Sequence, residues 1–126
     1  METVFRSLSF AAYAIGLVLA AVLSLTPNFH VHGGPGGDHM AHVFGYAAVS
    51  FCAVFAFSSL QGRAAALMIA LSAGLIFELI QAILPGREAG FDDVLANVAG
   101  LTIGVVLGLL SLSAFRLLRL MAFRAG

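Results

Sequence analysis

Lysine and tryptophan are absent from this 126-residue chain, cysteine occurs once and proline three times. Each shortage excludes something. The lone Cys52 cannot form an intrachain disulfide, and its apolar setting reads as packing rather than chemistry. With six arginines as the whole basic complement, there is no dense basic face for nucleic acid. Charged residues make up 10% of the chain, against about a quarter in soluble domains, which excludes an ordinary soluble domain. No established zinc spacing such as HExxH and no nucleophile motif occurs, so the sequence assigns no metal and no other cofactor. His30, His32, His39, His42 and nearby carboxylates have suitable ligand chemistry, but the glycine-rich stretch makes chance proximity of histidines easy, and whether His30, His32 and His39 bind a metal is left open.

What is present is hydrocarbon. The chain is 61% hydrophobic, with a mean hydropathy of +1.05. Four apolar runs are each long enough to cross a bilayer core of roughly 30 Å as a helix. They are Phe5 to Leu25, Asp38 to Leu60, Ala64 to Leu84, and Asp93 to roughly Leu118. The pattern predicts one all-α membrane domain, residues 1–126, with four transmembrane helices. Breakers define the loops: Pro27 and the Gly33 to Gly37 cluster, the turn Gln61-Gly62-Arg63, and Pro85-Gly86. Ala12, Gly16 and Ala20 in the first run, and Gly100, Gly104 and Gly108 in the last, recur every four residues and suit close helix contact.

Arginine sets the expected orientation. Arg6, Arg63, Arg116, Arg119 and Arg124 fall on one side and Arg87 alone on the other. The positive-inside rule then puts both termini in the cytoplasm and the two longer loops outside. The chemistry gathers on that outer side. All four histidines, Asp38, Glu88, Asp92 and Asp93 lie in or beside the outer loops, and Glu78 and Gln81 approach from below.

Helical spacing lets these groups meet. Asp38, His42 and Tyr46 share one face, Glu78 and Gln81 a second, and Asp93 and Asn97 a third. At ~1.5 Å rise per residue the faces match in depth. The expected result is a polar cup in the outer leaflet, walled by the second, third and fourth spans, with Arg87 at its lip. An ionised group mid-membrane costs about 2.5–3.5 kcal/mol, so Glu78 must have partners or water. A short internal echo, Asp38-x3-His42-x2-Gly45 against Asp93-x3-Asn97-x2-Gly100, is consistent with a two-hairpin repeat.

Each candidate carries two readings. Glu78 and His42 are the candidate catalytic pair, an acid and a base, or they are structural anchors. Asp38 and Asp93 are helix N-caps with a second, ligand-binding role open to them. Arg87 either grips a phosphate or carboxylate bidentately or pairs with Asp92 or Asp93. Gln81 and Asn97 either line a binding site or join helices. Tyr46 is a ligand contact or a tyrosine at the membrane interface.

The ordered set Asp38-x3-His42-x3-Tyr46, Glu78-x2-Gln81, Pro85-Gly86-Arg87 and Asp93-x3-Asn97-x2-Gly100-x3-Gly104 resembles the VanZ-like family of small bacterial membrane proteins. The resemblance is strongest over residues 38–108. It departs from the family pattern at His39, where a lysine usually follows the first aspartate. The family is named for a protein linked to low-level resistance to the glycopeptide teicoplanin. The resemblance implies a multi-pass protein of the bacterial cytoplasmic membrane associated with the cell envelope, and names no reaction. The function expected is an accessory or binding protein for an envelope lipid or a glycopeptide-related ligand, or a subunit of a larger membrane complex. The alternative is an intramembrane enzyme using Glu78 and His42 on an anionic envelope lipid. Whether it is an enzyme is left open. Expected partners are membrane lipids and such a complex, not nucleic acid.

Overall fold

The computed structural model describes residues 2–26, 37–84 and 90–125, with side chains for 3–26, 39–84 and 90–124. The described residues form four helices: α1 (Glu2–Leu25), α2 (Gly37–Ala56), α3 (Leu60–Gln81) and α4 (Phe91–Ala125). All four are long and apolar enough to cross a membrane. Large apolar side chains such as Phe5, Leu8, Val18, Phe44, Met68 and Leu110 are exposed on the outside of the bundle, while Ser50, Glu78, Gln81, Asp93 and Asn97 are buried within it. That inversion suits a hydrocarbon solvent, where polar groups must find partners inside.

Neighbouring contacts give the directions. Glycines on α4 sit against successive turns of α2: Gly100 on the Val43 carbonyl, Gly104 on the Ala47 carbonyl and Ser50, Gly108 on Val54. Both numberings rise together, so α2 and α4 run parallel. A methyl on Gly100 or Gly104 would collide with main chain, which is why this stripe has no side chains. The Tyr13 hydroxyl donates to the Ala66 carbonyl at 2.8 Å, and Gln81 Nε2 to the Ser24 carbonyl at 2.9 Å, so α1 and α3 are parallel too. On α1, Gly16 lies against Val49 of α2 and Phe5 packs edge-on to Phe55, which makes that pair antiparallel.

Several boundaries differ from the sequence expectation. Gln61, Gly62 and Arg63 are not a turn but the first turn of α3, because Ser59 caps that helix by accepting from Gly62 N–H at 3.0 Å. Arg63 Nε reaches back to the carbonyls of Val54 (3.0 Å) and Phe57 (2.9 Å), satisfying acceptors that α2 leaves open at its C-terminus. Asp38 is within the first turn of α2, which starts at Gly37, rather than in front of it. Asp93 is likewise not the cap of α4. Gly90 precedes that helix, and its carbonyl accepts from Asp93 N at 3.1 Å. That leaves the Asp93 carboxylate available to other groups. Finally, α4 runs past Leu118 to Ala125. Its 35 residues span about 52 Å, well beyond a bilayer core of roughly 30 Å. Among the described residues none after Gly108 is buried, so the stretch with Arg116, Arg119 and Arg124 leaves the bundle.

Candidate functional site

The upper ends of α2, α3 and α4 enclose one polar cluster. His42 faces inward from α2 because Gly100, one turn along α4 from its partner Asn97, lets the two backbones close. His42 Nδ1 lies 2.8 Å from Asn97 Oδ1. An amide oxygen only accepts, so Nδ1 carries a proton, and in the neutral ring Nε2 is then the acceptor. That Nε2 is 3.9 Å from Asp93 Oδ1. Below it, Tyr46 stacks on the imidazole, with ring centroids 6.5 Å apart and planes 9° apart.

Glu78 enters from α3 and is buried, with Oε2 accepting from the Gly90 N–H at 3.4 Å. This donor sits at the positive end of the α4 dipole, where a carboxylate is favoured. One ligand atom from each of His42, Glu78 and Asp93 lies within 4.8 Å of the other two. Four residues earlier on the same face of α3, Gly74 makes room for the arrangement. A methyl there would fall 2.7 Å from the Tyr46 hydroxyl and 2.9 Å from Asn97 Nδ2.

Part of the expected cup is seen as a set of neighbours. His42, Glu78, Asp93, Asn97 and Tyr46 come together. Tyr46 is buried at 3% exposure, so it is not an interfacial tyrosine. Gln81 stands apart, its amide nitrogen bound to the Ser24 carbonyl of α1, which is the helix-joining role. Arg87, Glu88, His30 and His32 lie outside the described residues, as does the side chain of Asp38. The internal echo is half realised. Its counterparts His42 and Asn97 bond to each other, but Gly45 faces open space where Gly100 is tightly packed.

Two features escaped the sequence. His39, in the position where the resemblance leads one to expect lysine, places Nδ1 2.6 Å from Asp93 Oδ1. Its spacing of three from His42 was the available signal. The second is a cleft of about 440 Å³ between α1 and α2. Ala12, Gly16 and Ala20 line one wall and Ala41, Gly45 and Ala48 the other, so the space is the volume their side chains do not fill. Ser24, His42 and Tyr46 also line the cleft.

The family model described as VanZ/LLP1 matches residues 7–112 of this chain. No curated protein and no solved structure matches it.

Proposed function

The chain belongs to the VanZ/LLP1 family, and from that premise we propose that it is a lipid-binding accessory protein of the bacterial cell envelope. In this proposal the protein lies in the cytoplasmic membrane with both termini inside and the polar cluster facing out, supported by the five-to-one division of arginines. The observation that carries the reading is continuity. The small-residue cleft lies between α1 and α2, and its lining includes His42 and Tyr46, which also belong to the polar cluster. A molecule with an apolar tail and a polar head fits that sequence of surfaces, and a purely polar solute does not. Glu78 and Asp93 accept from hydroxyl or amine groups of the head, and Arg87, in the loop before α4, takes a phosphate.

The test is mass spectrometry of lipids retained when the protein is extracted in polymer-bounded membrane discs. Gly45→Leu fills the cleft, since nothing lies within 4 Å of a β-carbon added there. The expected outcome is an envelope lipid enriched over the bulk membrane with the unaltered chain, and depleted with Gly45→Leu. Arg87→Ala weakens retention of phosphate-bearing lipids only. Identical profiles for all three chains would reject the reading.

The second reading is enzymatic. It is favoured by His42 and Glu78, which each bring one ligand atom within 4.8 Å of the other. Incubation of the purified chain with total envelope lipid would then yield a product that Glu78→Gln does not form.

A further inference from the structure

We propose that His42, Glu78 and Asp93 form a binding site for one divalent first-row transition metal, of the zinc or manganese class. The inference does not depend on the lipid reading. It starts from the donor set. With Nδ1 donating to Asn97, Nε2 of the neutral His42 ring is the nitrogen left to ligate. It lies 3.9 Å from Asp93 Oδ1. Glu78 adds a third ligand atom from another helix, all within 4.8 Å. Glu78 is 5% and Asp93 8% exposed, which places two carboxylates close together away from water.

Distances fit a metal. Zinc bonds of about 2.0–2.2 Å in tetrahedral geometry put ligand atoms about 3.4 Å apart. The 3.9 Å between His42 and Asp93 needs only a small rotation to close to that value. One nitrogen and two carboxylates suit zinc or manganese, whereas calcium takes six to eight oxygens. Outer partners hold the ligands in the manner of metal sites. Asn97 fixes the His42 tautomer, His39 Nδ1 binds Asp93 Oδ1 at 2.6 Å, and Gly90 N–H binds Glu78. Three protein ligands leave a fourth position for water or for an oxygen of a bound molecule.

The full chain in lipid discs, stripped with chelator, is titrated with zinc alone and with manganese alone. Calorimetry and elemental mass spectrometry after desalting give affinity and stoichiometry. One equivalent per chain is expected for at least one of the two metals. Glu78→Gln and His42→Gln each abolish it. His39→Gln, at a half-exposed position where folding is not at stake, weakens it by about 10–100-fold. Absence of binding by the unaltered chain would overturn the proposal. So would binding that survives Glu78→Gln but is lost when His30 and His32 are replaced, or unchanged affinity in His39→Gln.

Discussion

The same substitution, glycine to alanine, should have opposite effects at two positions about 60 residues apart. At Gly104 the new methyl would be driven into the Ala47 carbonyl and the Ser50 hydroxyl of α2. Main chain cannot rotate away, so α2 and α4 must separate. Overpacking of this kind costs about 1–3 kcal/mol, and a backbone obstacle argues for the upper end. Alanine returns about 1 kcal/mol through helix propensity. The net loss is about 2 kcal/mol. At Gly45 nothing lies within 4 Å of the added carbon, and only the propensity gain of up to about 1 kcal/mol is left. The two variants should differ by about 3 kcal/mol, or roughly two decades in the folding constant. Thermal unfolding in detergent micelles, followed by circular dichroism, should separate their midpoints by about 10 °C. A Gly104→Ala chain melting at or above the unaltered protein would refute the parallel α2–α4 contact as the tight seam of this fold.

Three further outcomes follow from single bonds. Gln81→Leu leaves the Ser24 carbonyl without its donor and should lower stability by about 1–3 kcal/mol in the same melting assay. Arg63→Ala strips a donor shared by Val54 and Phe57 and should destabilise by a similar ~1–3 kcal/mol, with increased hydrogen exchange confined to the α2–α3 junction. In the metal-free protein, nitrogen-15 spectra should show His42 as the Nδ1–H tautomer at a pH where the ring is neutral, and Asn97→Leu should abolish that bias, since no acceptor would then hold the proton on Nδ1.

The outline of this fold was legible because a bilayer demands long apolar runs, and four such runs are unmistakable. Register within the polar faces was legible for the same reason. Spacings of three and four bring His42, Glu78, Asp93 and Asn97 to matching depths wherever the helices pack. Helix ends were harder. Asp93 follows a loop and has the chemistry of a cap, yet Gly90 precedes the helix and the carboxylate serves the cluster instead. Arg63 counts toward the arginine division, and in addition its guanidinium closes the preceding helix, a contact across a turn that no periodicity encodes. Tyr46 reads as interfacial by residue type, and only the notch at Gly74 explains how its hydroxyl fits inside. The cleft was the least visible feature. A small-residue stripe usually means contact, and Gly16 does touch Val49, but the stripe's other members face space.

Tyr13 to Ala66 and Gln81 to Ser24 both fasten α1 to α3 by hydrogen bonds. Toward α2, Gly16 lies against Val49 and the edge of Phe5 meets Phe55. Under the lipid-binding proposal, a tail entering the cleft displaces dispersion contacts of α1 with α2, which its own hydrocarbon replaces, and leaves both polar fastenings to α3 in place.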